Sequence, residues 1–200
     1  MNTNNELDYY LIGISGEASA PLLVVDEEHG ADNIRFLSRQ VKVAPDYVAH
    51  LRFGAPIPAK PEMVDYHDLD GGRSVFSSKV YNALKSHDIK GLQLVRCIIR
   101  GKDREEIEGY RIANVYHQRY RFFDTEKSQY DDDDDVWFSI DKIVLDKNAI
   151  TEVPLEDRLV FVAGENSAYV LFHKSLVDII MSANPRGLVF VPVEEWRNGM

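Results

Sequence analysis

The chain has one cysteine in 200 residues, Cys97, which excludes an intramolecular disulfide. Its setting, Leu94-Val95-Arg96-Cys97-Ile98-Ile99, is that of a buried, inert thiol. No apolar run approaches the roughly 18 residues that a membrane helix needs. The first residues, Met1-Asn2-Thr3-Asn4-Asn5-Glu6, lack the basic and apolar regions of a signal peptide, so a cytoplasmic protein is expected. Positive charge is scarce: 23 Lys and Arg against 33 Asp and Glu leave a net charge of -10. Phosphate repulsion then argues against nucleic acid as a partner, and a basic protein partner or simple solubility fits better. There is no GxGxxG, no P-loop and no HExxH. Gly13-Ile14-Ser15-Gly16-Glu17 lacks the second glycine of a nucleophile elbow. None of the six histidines has a neighbour at metal-ligand spacing, and no catalytic residue, cofactor or metal site is expected.

What is present is a soluble composition, 44% hydrophobic and 28% charged, enough to bury a real core. One pattern occurs twice. Val75-Phe76-Ser77-Ser78-Lys79-Val80-Tyr81-Asn82-Ala83-Leu84 leads to Ile89-Lys90-Gly91-Leu92-Gln93-Leu94-Val95. Val170-Leu171-Phe172-His173-Lys174-Ser175-Leu176-Val177-Asp178-Ile179-Ile180 leads to Pro185-Arg186-Gly187-Leu188-Val189-Phe190-Val191. Each reads as an apolar strand, an amphipathic helix, a basic residue with glycine, and a second apolar strand. Ser77 or Ser78 is placed to cap the first helix, and Pro185 requires the second to end before it.

The expected fold class is α+β: a strand-rich mixed or antiparallel sheet with two strand–helix–strand units and few short helices. Residues 1–70 read as an irregular, mostly extended N-terminal part and residues 71–200 as the α+β domain. Within the first part, Tyr9–Ile12, Leu22–Val25 and Ile34–Leu37 are candidate strands and Pro45–Leu51 one or two helical turns. Residues 54–61, with three prolines, read as an extended linker or strap. Leu92–Ile99 and the segment after the charged turn 100–109 are expected to pair antiparallel. Tyr110–Phe123 alternates between an aromatic face and a partly basic one bearing Arg111, His117, Arg119 and Arg121, with a bend near His117. Asp124–Tyr130 reads as a short helical turn, and residues 136–145 as two short strands or one bent one.

The most conspicuous local feature is Asp131-Asp132-Asp133-Asp134-Asp135, followed by Trp137. It is not an EF-hand loop, because Val136 and Lys142 stand where glycine and glutamate are required. Adjacent carboxylates repel, so an exposed, mobile loop is the first reading. The functional alternative is an electrostatic lure for a basic partner, which makes Asp131 to Asp135 and Trp137 the candidate partner-binding residues. The arginines of the preceding strand are expected to pair with this loop.

From about Asp65 to Trp196 the chain resembles a large bacterial family of immunity proteins from polymorphic-toxin and contact-dependent competition systems. The resemblance rests on Val75-Phe76-Ser77-Ser78-Lys79, Ile89-Lys90-Gly91-Leu92-Gln93-Leu94 and Gly109-Tyr110-Arg111-Ile112-Ala113-Asn114-Val115. It also rests on Asp124-Thr125-Glu126-Lys127-Ser128 and Arg186-Gly187-Leu188-Val189-Phe190-Val191-Pro192-Val193-Glu194-Glu195. It implies a non-enzymatic protein that binds and neutralises a cognate toxin in the producing cell. The residues alone leave two other classes open: an enzyme with a dispersed hydrolytic or metal-assisted site, and a regulatory or scaffold module.

Overall fold

The computed structural model describes residues 6–13, 20–29, 41–70, 72–116, 118–133 and 136–198, with backbone alone at 132, 133 and 136–138. Its strands are β1 (Tyr9–Gly13), β2 (Leu23–Val25), β3 (Val48–Phe53), β4 (Tyr66–Leu69), β5 (Arg73–Ser77), β6 (Leu92–Arg100) and β7 (Glu106–Val115). Then come β8 (Arg119–Tyr120), β9 (Gln129–Asp133), β10 (Val136–Lys142), β11 (Val160–Ala163), β12 (Val170–His173) and β13 (Val189–Pro192). The helices are α1 (Ser78–Leu84), α2 (Lys147–Thr151) and α3 (Lys174–Ser182). The fold is α+β and mostly sheet, as the strand-rich pattern predicts.

Six strands close a barrel in the order β2-β3-β6-β7-β5-β4. Its interior is filled by alternate residues of the long strands, among them Leu51, Val75, Val95, Cys97, Ile99 and Ile112. Five strands form a mixed sheet, β13-β1-β12-β11-β8, and β9 and β10 form a separate ribbon. The barrel takes β2, β3 and β4 from before residue 70 and β5, β6 and β7 from after it, and the β4–β5 hairpin straddles that point.

The two sequence copies build the same arrangement. β5 and β6 both run antiparallel to β7, which lies between them. β12 and β13 both run antiparallel to β1, which lies between them. Each unit is therefore a pair of parallel strands joined by a helix, with a third strand inserted. Corresponding residues cap the helices: Ser77 Oγ accepts from Lys79 N–H, and His173 Nδ1 from Ser175 N–H. The helices pack together in one core between barrel and sheet, where Val80 and Leu84 meet Leu176, Val177 and Ile180. The far face of the sheet is buried too, with Tyr9, Leu11, Phe161 and Leu171 packed beneath Ile140, Ile143 and Ile150. Burial of both faces explains why Val160-Phe161-Val162-Ala163 reads as an unbroken apolar run.

Three local readings are corrected. Pro45–Leu51 is not helical: β3 begins at Val48 and pairs with β2 and β6, so tertiary pairing overrides local preference. The helical turn expected over Asp124–Tyr130 is shorter: Ser128 N–H closes it on Asp124 O at 2.9 Å, and Gln129 and Tyr130 already belong to β9. Tyr110–Phe123 is not one two-faced strand. Its first half lies in the barrel as β7, and its β8 belongs to the other sheet, parallel to β11. His117 and Ile34–Leu37 lie outside the described residues.

Both turn glycines are left-handed, Gly91 at φ 79° and Gly187 at φ 83°. A Cβ on Gly91 would lie 2.0 Å from Gln118 Cγ, and one on Gly187 2.8 Å from Val64 Cγ2. Gly91→Ala is expected to cost roughly 1–3 kcal/mol in urea denaturation, from the αL penalty plus the displaced Gln118. An unchanged midpoint would show that this turn has another conformation.

His67 ties the barrel to its entry segment. Its Nδ1–H donates to Pro21 O (3.0 Å) and its Nε2 accepts Val64 N–H (3.2 Å), a pattern that only the neutral ring satisfies. Burial lowers its pKa from 6.5. The unfolded chain then takes up the proton more readily, so this stability is present above pH 6.5 and is lost as pH falls towards the folded value. Stability should decline below pH 6.5 with a slope of at most about 1.4 kcal/mol per pH unit from this group. Denaturation of His67→Gln from pH 7.5 to 5 should show a shallower slope, and an identical slope would remove His67 as the source.

Candidate partner-binding surface

Three of the five aspartates do not lie in the loop that charge repulsion suggests. Asp131 to Asp133 lie in β9 and pair antiparallel with β10: Asp131 opposite Ser139, Asp132 opposite Trp137 and Asp133 opposite Val136. Cross-strand pairing and the anchorage of Ile140 and Ile143 in the core beneath the sheet hold these residues extended. Asp131 is exposed, and Asp134 and Asp135 lie outside the described residues. The register thus brings Asp132 and Trp137 together on one ribbon, which neighbours in sequence could not guarantee.

Two of the arginines of the preceding segment have partners elsewhere. The Arg111 guanidinium lies over the Tyr81 ring at 4.9 Å, and Arg119 Nη2 donates to Gly164 O at 3.2 Å. Arg119 and Arg121 stand near the carboxylate of Glu165. That carboxylate is buried, and one oxygen accepts Phe123 N–H at 3.0 Å. Burial pushes it above the ordinary glutamate range, against the opposing pull of this hydrogen bond and the arginines. This makes Glu165 a packing element behind β8 with no sequence signature of its own.

Two other charged centres were not legible in the sequence. Asp26 is buried and accepts from Arg100 Nη2 (2.8 Å), while Glu28 accepts from Arg100 Nη1 (2.7 Å). His29 Nδ1 lies 3.1 Å from Asp26 Oδ2, and its ring stacks on His50. Asp26, Glu28 and His29 offer ligand atoms within 4.8 Å of one another. The Arg100 guanidinium already occupies one oxygen of each carboxylate, so a cation would have to compete with it. Arg158 is 2% exposed and donates to Val153 O, Glu6 O and the Tyr9 hydroxyl at 2.7 to 2.8 Å. It pins the start of β1 to the segment after α2, a structural use of a buried charge.

Burial pushes the Cys97 thiol up to about 12. It lies inside the barrel, 1% exposed. Ellman's reagent should therefore leave the native protein unmodified and titrate one thiol after unfolding in guanidinium. Rapid modification of the folded protein would contradict an inert Cys97.

Among the described residues, no helix is long and apolar enough to cross a membrane. No curated protein matches the sequence. A family model does, and it covers residues 13–195, reaching further towards the N-terminus than the Asp65–Trp196 stretch that carries the resemblance. Its reach back to residue 13 agrees with a barrel whose first three strands precede residue 70. The chain belongs to the Immunity protein family (Imm11).

Proposed function

We propose that this protein is the cytoplasmic immunity partner of a bacterial toxin. It neutralises the toxin in the producing cell by tight, non-catalytic binding. The observation that carries this reading is family membership over residues 13–195. The partner is a protein, with neither nucleic acid nor membrane involved, and a basic toxin suits a chain of charge -10.

The contact surface is assigned to the β9–β10 ribbon, through Asp131, Asp132, Asp133, Asp134, Asp135 and Trp137. Two features support this. The ribbon belongs to neither main sheet, so its backbone is not spent on the core. A concentrated row of carboxylates raises the encounter rate with a basic surface, and an aromatic residue beside it supplies contact area that charge alone does not.

Co-expression with the toxin domain encoded by the adjacent gene tests the reading. Wild-type protein should restore growth and co-purify with the toxin as a stable complex. Absence of both protection and complex would sink the immunity role. Replacing all five aspartates by asparagine should slow association by roughly tenfold at low salt, with the difference shrinking as salt rises. An association rate unaffected by the replacement would remove the ribbon from the interface.

A further inference from the structure

The ribbon of β9 and β10 rises from a stem in which residues 122–124 run antiparallel to residues 144–146. Asp146 N–H donates to Phe122 O (2.7 Å), Asp124 N–H donates to Val144 O (2.8 Å), and Phe123 stands opposite Leu145. With the stem bonds on either side of it, Phe123 turns its own N–H away from Leu145. The acceptor on that side is Glu165 Oε1 at 3.0 Å. Glu165 belongs to the turn between β11 and β12, which is itself fastened to β8. Gly164 N–H donates to Tyr120 O (2.6 Å), and Gly164 O accepts from Arg119 Nη2 (3.2 Å). Phe122 and Phe123 also pack in the apolar core beneath the sheet. Packing of that kind has no preferred direction, whereas a hydrogen bond has one, so the bond sets how the stem sits on the sheet.

The second oxygen of Glu165, Oε2, is buried and has no hydrogen-bond partner among the described residues. An ionised carboxylate in that state forfeits solvation that nothing replaces, and a neutral carboxyl forfeits less. The positive charges that act on it are Arg121 and Arg119, and Arg119 is already bonded to Gly164 O. On the stem, the Asp124 carboxylate is paired with Lys127 at 2.5 Å, and the Asp146 carboxylate accepts from Asn148 N–H and Ala149 N–H. Burial is the largest influence on Glu165 and holds its carboxyl above the ordinary 4.5. The folded protein therefore keeps this proton more firmly than the unfolded chain. The stabilisation is complete below pH 4.5 and is lost as pH rises through the folded value.

We propose that Glu165 is the positioning residue of the partner-binding ribbon, holding its stem in place through the Phe123 N–H. This rests on the ribbon as the toxin-contact surface, and it adds a control of that surface: loss of the Glu165 proton loosens the mount. Glutamine is the stand-in for the protonated acid, because its amide oxygen accepts the Phe123 N–H and it carries no charge at any pH. Alanine removes the acceptor altogether.

Two measurements on the full-length protein test this. In the first, amide exchange of Phe123 is followed by NMR from pH 5 to 7.5 in wild type and Glu165→Gln, so that the ratio cancels the intrinsic pH dependence of exchange. Wild type should exchange progressively faster than Glu165→Gln as pH rises, with the ratio growing by at most about tenfold per pH unit. A constant ratio would overturn the assignment. In the second, affinity for the toxin domain of the adjacent gene is measured by titration calorimetry. Glu165→Ala should bind about tenfold more weakly, the equivalent of one buried donor left without an acceptor. Glu165→Gln should bind at least as tightly as wild type. Gly91→Ala, destabilised in the other unit, should keep wild-type affinity. Wild-type affinity in Glu165→Ala would remove the positioning role and leave the immunity role standing. An equal loss in Gly91→Ala would remove it too, as a general effect of stability. If Glu165→Ala does not fold, the exchange ratio decides. A wild type that forms no complex would overturn both the immunity reading and the positioning role.

Discussion

The carboxylate of Asp65 is the point on which the two halves of this protein turn. Its Oδ1 accepts from Ser77 Oγ at 2.6 Å, and its Oδ2 accepts from Arg186 N–H at 2.8 Å and from Lys79 Nζ at 3.3 Å. Its backbone joins the same partners, with Asp65 N–H bonded to Arg186 O and Ser77 N–H to Asp65 O. Ser77 caps α1, and Arg186 belongs to the turn between α3 and β13. One residue therefore holds the start of one helical unit against the end of the other. Burial alone would raise the carboxyl's pKa, but these hydrogen bonds and the lysine outweigh it and leave the value below the ordinary range. The carboxylate is thus ionised, and holds its partners, at any pH above that range.

Around this point the two units hold each other reciprocally. The basic residue that precedes each turn glycine pairs with an acid from the other half. Lys90 of the barrel unit meets Asp157, and Arg186 of the sheet unit meets Glu62 at 3.1 Å. These pairs are exposed and individually worth little. Their value is registry, because the helices between them pack only through short apolar stripes that could slide. Lys79 adds a bond to Asn184 O at 2.7 Å, across the same junction. The result is a core in which the apolar stripes of both helices meet, while Lys79, Asn82, Asp178 and Met181 stay exposed.

Edge control fits the same picture. The barrel has no free edge, and β13, at the edge of the sheet, ends in Pro192, which offers no N–H to an incoming strand. The Pro192 carbonyl is taken up by Glu195 N–H and Trp196 N–H. Such blunting suppresses indiscriminate strand pairing.

The repeated strand–helix–strand pattern was readable because it uses strong local signals: apolar runs, a cap, and a glycine that alone tolerates a left-handed turn. The fold class, the helix limits set by Ser77 and Pro185, and the inert setting of Cys97 all followed from residues close together in sequence. What failed locally failed for a physical reason. Val48–Phe53 is a strand because β2 and β6 supply its hydrogen bonds from far along the chain, and Arg111 and Arg119 serve different neighbours because β7 and β8 belong to different sheets. By itself the sequence determined composition class, charge, the duplicated unit and the acidic run, since each depends on residue type and spacing alone. Only the tertiary structure decided that β7 and β1 are inserted into the two units and that Asp65 joins them, because those facts depend on which distant residues share a neighbour.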